Sequence, residues 1–185
     1  MRRLFPPVTI ALLLFRGLAQ GEDPKIRRPL AVTGLPPIYA TSLGSVTASP
    51  STVSFSATDP DLGTAPGNSQ ATITWTESAG NPIHNWTLTV RGGSSFSGCS
   101  TVPASAVTVT CTSASVSGGG GTGTCSAPFA LSAGGQQVAG GLQGNNTQTW
   151  TYTVTINFTI ADRWSYVAQQ SPPCTITLTY TVNAP

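Results

Sequence analysis

The chain of 185 residues has few of the residues that carry catalytic or metal chemistry. It contains one histidine, His84, one methionine and only 8% charged residues. No serine motif and no acid close in the sequence mark His84 as a general base. The four cysteines lack the paired C-x-x-C spacing of a zinc site, and no second histidine accompanies them. We therefore expect a protein that is not an enzyme and that uses no cofactor and no metal.

Long apolar runs are also missing. The apolar stretch at residues 8–15 is far shorter than the roughly 20 residues that span a bilayer as a helix. Arg2 and Arg3 precede this stretch, and small residues at positions 17 and 19 follow it, which is the pattern of a secretory signal peptide cleaved after Ala19. Residues 1–19 are therefore predicted to be a signal peptide, and the exported chain is predicted to have no membrane span.

Charged residues of either sign are scarce beyond this predicted signal peptide. The whole chain has a formal net charge of +2, but three of its eight basic residues lie before residue 20. The five remaining basic residues face six acids, so the exported chain has a formal charge of −1. Binding to nucleic acid or to an anionic membrane surface requires a strongly basic face. We expect neither partner, and we expect the protein to be secreted or held at the cell surface.

The sequence is rich in strict alternation of apolar and hydroxyl-bearing residues. At residues 150–160 every even position is apolar and every odd position is Thr or Asn. Because successive side chains of a strand point to opposite faces, this alternation predicts a strand with one buried and one solvated face. The same pattern predicts strands at residues 53–57, 71–76, 86–90, 107–111 and 174–182.

Glycine and proline clusters separate these segments and predict turns. No segment of ten or more residues shows helical periodicity. Residues 45–185 are therefore predicted to form an all-β domain, a two-sheet antiparallel β-sandwich of the immunoglobulin-like type with seven to eight strands. Residues 20–44 contain clustered charges and four prolines, and they are predicted to be a flexible, proline-containing leader to the domain. The apolar patch at residues 29–32 is available for docking.

All four cysteines follow the predicted cleavage site, and an oxidising destination makes two disulfides the expectation. Four cysteines allow three connectivities, and the sequence alone does not choose among them. We favour Cys99 with Cys111, which would staple a short excursion of the chain, and Cys125 with Cys174, which would tie a loop to the last strand. Each disulfide would stabilise the fold by about 2–4 kcal/mol.

One part of the chain resembles a known family. Residues 49–57 (SPSTVSFSA), followed by residues 70–74 (QATIT), resemble the opening strands of bacterial immunoglobulin-like modules of the BACON type. In that family a strand containing Trp follows, as residues 86–90 do here. The resemblance covers residues 46–91, and it implies an immunoglobulin-like fold and contact with glycans.

A second resemblance concerns the tripeptide at Trp86, Thr87 and Leu88, which is similar to the motif of the WxL cell-wall-binding domains. Those domains carry a second, distal motif, and residues 178–185 resemble the spacing of that motif but lack its Trp. This resemblance implies association with the cell wall.

Most aromatic residues lie in phase with the apolar faces and are predicted to be core: Trp75, Trp86, Trp150, Tyr152 and Tyr180. Four other residues are predicted to be more exposed. Trp164 and Tyr166 follow a break in the alternation at residues 161–163, and His84 and Asn85 lie in a predicted loop. Because flat rings stack on sugars and amides bond to hydroxyls, these four residues are candidate ligand-binding residues.

Two functions follow from these expectations. The first is a secreted, non-enzymatic surface or extracellular module that acts in adhesion, cell-wall association or glycan contact, with cell-wall or extracellular polysaccharide as its partner. The alternative is a structural subunit of an extracellular fibre, in which the N-terminal arm adds as a strand to an exposed sheet edge of a neighbouring copy. In that case the partner is the protein itself.

Overall fold

A computed structural model describes residues 8–12, 46–55, 63–77, 84–118, 120–144, 149–161, 163 and 174–184. Within these ranges the chain is all-β, as the alternation predicts, and the only helical element is a three-residue 3-10 turn, Ala104–Ala106. The strands in chain order are β1 (Val8–Leu12), β2 (Thr47–Ser49), β3 (Thr52–Phe55), β4 (Thr64–Pro66), β5 (Ala71–Glu77), β6 (Asn85–Gly92), β7 (Ser95–Phe96), β8 (Cys99–Pro103), β9 (Val107–Ser117), β10 (Thr124–Cys125), β11 (Phe129–Ala130), β12 (Gln136–Leu142), β13 (Trp150–Ala161) and β14 (Thr175–Asn183).

Two six-stranded sheets contain most of these strands. Sheet 1 has the order β10-β12-β6-β14-β1-β3, and sheet 2 has the order β11-β9-β13-β5-β2 with β4 paired to β13. Strands β7 and β8 form a separate two-stranded ribbon. Every pair in the described residues is antiparallel except β1 with β14, which is parallel. The antiparallel prediction therefore has one exception, and it involves the strand that lies within the predicted signal peptide.

Within the described residues, which exclude residues 56 and 57, the six alternating segments correspond to strands β3, β5, β6, β9, β13 and β14. Along β13 the burial changes at every residue from Trp150 to Ala161, and β5 repeats this pattern. The alternation of the sequence thus becomes an alternation of environment. Segments in which apolar residues alternate with hydroxyl-bearing ones form strands that are buried on one face only.

Thirteen of the fourteen strands lie in the described part of residues 45–185, so the predicted number of seven to eight for this domain is too low. Several additional strands are two or three residues long and come from segments rich in turn residues. The longest of those missed, β12, does not alternate because Val138, Ala139 and Gly140 are all buried. Its register with β6 also shifts between Gln137 and Ala139. A bulge of this kind removes the period of two on which the sequence prediction rests.

Both sheets contribute side chains to one core. Trp75 of sheet 2 meets Trp86 of sheet 1 edge to face, with ring centroids 5.4 Å apart. Tyr152 of sheet 2 stacks on Trp75 with centroids 5.0 Å apart. These three rings and Trp150 are at most 1% exposed, which confirms their prediction as core, whereas Tyr180 is only partly buried. Aromatic contacts of this geometry add to the free energy gained by burying the rings.

The disulfides join Cys99 to Cys174 and Cys111 to Cys125, so the favoured pairing of Cys99 with Cys111 and of Cys125 with Cys174 is wrong. Pairing of Ser97 with Thr175 brings the start of β8 beside the start of β14. The other disulfide links β9 of sheet 2 to β10 of sheet 1. The pairing of Cys99 with Cys174 follows from a contact between strands 75 residues apart, and that of Cys111 with Cys125 from a contact between consecutive strands of different sheets. Cysteine spacing encodes neither contact.

Candidate functional site

Two of the four candidate ligand-binding residues, Trp164 and Tyr166, lie outside the described residues. The other two lie together where β6 begins. His84 is half-buried and Asn85 is exposed. The backbone oxygen of His84 accepts a hydrogen bond from the backbone N–H of Gln143 at 2.8 Å, and Asn85 is paired with Leu142 in the sheet. The end of β12 therefore completes a surface that β6 begins.

We call His84, Asn85, Leu142 and Gln143 the His84 patch. Leu142 is 47% exposed and is the only exposed large hydrophobic residue in the described part of the chain. Gln143 is 3% exposed, and within the described part of the chain neither of its side-chain amide atoms, nor Nε2 of His84, has a hydrogen-bond partner. Leaving such a group buried and unpaired costs about 1–3 kcal/mol. The accessible part of the patch is therefore the side chain of Asn85 beside the apolar side chain of Leu142, which together suit an uncharged polar ligand.

Sequence reasoning found half of this patch. Leu142 and Gln143 follow Gly140 and Gly141, and that glycine-rich segment is typical of a loop. Only the register of β12 against β6 places them beside His84 and Asn85. The sequence does indicate that Asn85 is accessible, because the alternation on β6 makes Trp86 buried and Asn85 exposed.

The outer face of sheet 2 is covered by hydroxyls instead of rings. Several of these hydroxyls donate to backbone carbonyls of the neighbouring strand: Thr47 Oγ1 to Thr74 at 3.2 Å, Thr112 Oγ1 to Thr155 at 3.2 Å and Ser117 Oγ to Thr151 at 3.3 Å. No aromatic side chain is exposed among the residues that the structure describes. The described faces therefore present no fully exposed ring to a sugar, and Phe129 and Tyr180 are partly buried.

A buried acid lies inside the fold, at the end of β5. Glu77 is 1% exposed, and its Oε2 accepts a hydrogen bond from the Tyr152 hydroxyl at 2.5 Å. Burial, the hydrogen bond and the charge of Glu77 raise the pKa of Tyr152 far above its usual value. Burial likewise raises the pKa of Tyr180. Because the Tyr152 ring is packed against Trp75 and Trp86, we assign the Glu77–Tyr152 pair a structural role.

A second candidate site is the position of β1 in sheet 1. On one side β1 runs parallel to residues 175–178 of β14, and on the other it runs antiparallel to β3. Strands β3 and β14 are therefore separated by the width of one strand. We call the position between residues 175–178 and Thr52–Phe55 the strand slot.

The strand slot has apolar residues at alternate positions on both of its sides. Val53 and Phe55 on β3 and Ile176 and Leu178 on β14 are at most 2% exposed, whereas Thr177 between the latter two is exposed. In the register, Ile10 of β1 lies opposite both Val53 and Ile176. A strand that carries apolar residues at every second position matches these two neighbours.

The β3 side of the slot has attachments that do not involve β1. The backbone N–H of Asn68 donates to the Ser54 oxygen, and its side-chain Oδ1 accepts from the Ser54 N–H, both at 2.9 Å. Phe55 forms an isolated bridge with Gly67, whose N–H donates to the Phe158 oxygen of β13 at 2.8 Å. These bonds connect β3 to residues 67–68 and, through Gly67, to β13 of sheet 2, so β3 has partners other than β1.

Comparison with protein-family models, with curated proteins and with solved structures gives no match to this chain. Within the described residues no group of three or more His, Cys, Asp or Glu side chains is placed to hold a metal ion. No helix in that part of the chain is long and apolar enough to span a membrane. Two disulfides together with this finding are compatible with an extracellular protein.

Proposed function

We propose that this protein is an exported, non-enzymatic structural subunit that joins to further copies through the strand slot and so builds an extracellular fibre. The observation that carries this proposal is the placement of β1. The strand that fills the slot lies within residues 1–19, which have the composition of a cleavable signal peptide. Removal of that segment on export leaves the slot to a strand from elsewhere.

The proposal includes an immunoglobulin-like sandwich as the fold. It is supported by the edge-to-face contact of Trp75 with Trp86, which joins the two sheets, and by the disulfide from Cys111 to Cys125, which crosses between them. Long antiparallel strands with one buried face are typical of such sandwiches. The resemblance of residues 46–91 to BACON-type modules agrees with this fold.

Filling the slot is favourable for two reasons. A strand between β3 and β14 bonds to the backbone groups that each presents towards the slot, and unpaired sheet edges are known templates for strand addition. The strand also covers Val53, Phe55, Ile176 and Leu178, and burying an apolar side chain of this size contributes about 1.5–3 kcal/mol. The exported domain therefore gains stability when a second chain supplies the strand.

The test uses the chain from residue 20 onwards, oxidised and purified. We expect it to form oligomers or fibres, visible by light scattering and by electron microscopy. Ile176 is buried on β14 beside the slot, opposite the central inward residue of the inserted strand, so Ile176→Asp should reduce assembly at least tenfold. Thr177→Asp, at the next residue and on the exposed face, should leave assembly unchanged. Circular dichroism checks that both variants keep their β structure. A wild-type chain that stays monomeric and stable at high concentration would contradict the proposal.

We also propose a second function, glycan or cell-wall contact through the His84 patch. The exposed amide of Asn85 beside exposed Leu142 supports it, as do the BACON-like and WxL-like segments. Trp164 and Tyr166 stay candidate stacking residues.

Retention of the chain from residue 20 on insoluble polysaccharides and on cell-wall sacculi tests this second function. Asn85→Ala should weaken saturable retention about threefold to tenfold, because it removes one side-chain amide from an exposed position of the patch. Asn183→Ala, at an exposed position of β14, is the matched control and should bind as the wild type does. Equal retention of both variants, or retention on no material, would count against glycan contact.

A further inference from the structure

We infer that residues 29–34 of a second copy of this chain form the strand that occupies the slot. The inference rests on the proposed assembly function, and it names the segment and the register that this assembly uses. Leu30 would lie opposite Phe55, Val32 opposite Val53 and Ile176, and Gly34 opposite Leu178.

The sequence of this segment matches that of β1. In β1 the residues opposite buried neighbours are Val8, Ile10 and Leu12, and small or hydroxyl-bearing residues lie between them. Residues 30–34 read Leu-Ala-Val-Thr-Gly. They also place apolar residues at the first and third positions, with Ala and Thr between and after them, and Gly stands at the fifth position. Pro29 precedes them at the start of the strand, where its missing N–H is tolerated.

Other parts of residues 20–44 match less well. Residues 20–28 contain five of the charged residues of the exported chain, and burying an unpaired charge in the slot is strongly unfavourable. Residues 38–44 lack charge and proline. As a strand, however, they would place a hydroxyl-bearing residue on each face, Ser42 among the even positions and Thr41 among the odd ones. Only residues 30–34 offer a set of alternate positions without a polar side chain.

The direction of the chain after this segment favours a second copy over the same copy. Insertion of residues 29–34 into their own slot requires the chain to reverse before β2 begins at Thr47. Pro36 and Pro37 follow the segment closely, and successive prolines favour extended polyproline conformation with a rise of about 3.1 Å per residue. We expect an extended connection to favour insertion into the slot of a neighbour, and the mixing experiment below distinguishes this from insertion into the slot of the same copy.

This geometry makes the contact head-to-tail. Each copy has one slot and donates one segment, and the two surfaces differ, so the interface is heterologous and generates an open chain of subunits unless the rotation closes it into a ring. One subunit is left with an unfilled slot at one end, and the subunit at the other end has an unused segment.

The test combines arm variants with the slot variant. Leu30→Asp with Val32→Asp should reduce assembly of the chain from residue 20 at least tenfold. Ala31→Asp with Thr33→Asp introduces the same charges on the other face of the same segment and should assemble as the wild type does. Neither pair changes the domain at residues 46–184, so loss of folding does not confuse the result.

Mixing then separates exchange between copies from insertion within one copy. The Ile176→Asp chain keeps a functional segment, and the Leu30→Asp, Val32→Asp chain keeps a functional slot. Each alone should be monomeric by light scattering, and an equimolar mixture should form one-to-one dimers that do not grow further. If the arm variant assembles normally while Ile176→Asp does not, another segment fills the slot, and the proposed function stands without this inference.

Two further results would overturn the inference. In the first, the wild-type chain is monomeric, and Leu30→Asp with Val32→Asp lowers its stability whereas the control pair does not. The segment then fills the slot of its own copy. Assembly that survives both the arm variant and Ile176→Asp does not use the slot at all, and then the proposed function fails as well.

Discussion

Replacing both Cys99 and Cys174 by Ala is expected to lower the free energy of unfolding more than removal of the other disulfide does. The bond closes a sequence separation of 75 residues, against 14 for Cys111 and Cys125. In the chain-entropy account, loops of these lengths correspond to about 4.5 and about 3 kcal/mol. A loss of about 4.5 kcal/mol is a large part of the 5–15 kcal/mol typical of a domain.

The position of the bond adds to this expectation. Ser97 and Thr175 exchange two backbone hydrogen bonds of 2.7 and 3.1 Å next to the disulfide, and Thr175 begins the side of β14 that lines the strand slot. Loosening of this corner weakens the slot as well as the domain. Assembly of the Cys99→Ala, Cys174→Ala chain should therefore decrease together with its stability.

Urea unfolding of the two double-alanine variants under oxidising conditions measures the difference. The Cys111→Ala, Cys125→Ala chain is the matched control, because it also loses one disulfide and gains two alanines. Proteolytic mapping of the wild type without reduction should recover only peptides that join Cys99 to Cys174 and Cys111 to Cys125. An equal or larger loss of stability in the control would contradict the chain-entropy explanation.

The sequence predicted strands well where a strand has one dry face. Residues 150–160 are an example, because each inward residue is apolar and each outward residue is Thr or Asn, and β13 spans Trp150–Ala161. Such a local pattern needs no knowledge of the partner strands. The pairing of the cysteines did need that knowledge, since it depends on which strands meet, and the preference based on spacing was wrong.

The candidate sites were predictable only in part for the same reason. His84 and Asn85 were expected to be accessible, and Asn85 is exposed, but Leu142 and Gln143 come beside them through the pairing of β12 with β6. The strand slot was not predicted, because residues 8–12 have the composition of a signal peptide and their place between β3 and β14 depends on long-range strand pairing. The sequence led to the expectation that the N-terminal arm adds to the edge of a sheet, but not that a strand position is available inside a sheet, between β3 and β14.

Gly141→Ala is expected to lower the free energy of unfolding by about 3 kcal/mol and to disorder the His84 patch. A Cβ at this position would lie 2.7 Å from the carbonyl carbon of Thr122 and still closer to its oxygen. Both are backbone atoms, so the segment at Thr122 must move. That segment bonds to its surroundings three times: its oxygen accepts from Trp86 Nε1 at 3.0 Å, its N–H donates to the Leu142 oxygen at 2.9 Å, and its hydroxyl accepts from the Leu142 N–H at 3.2 Å.

Each of these bonds contributes about 0.5–1.5 kcal/mol, and overpacking adds about 1–3 kcal/mol, so a loss near 3 kcal/mol follows even if part of the network re-forms. Gly135→Ala is the matched control, because it makes the same chemical change just before β12 and its Cβ would meet nothing closer than 3.9 Å. Urea unfolding should place the control within about 1 kcal/mol of the wild type. Because Trp86 lies against Trp75 and Tyr152, the fluorescence of the folded Gly141→Ala chain should also change. Equal stability of the two variants would mean that Thr122 does not cross β12 at Gly141.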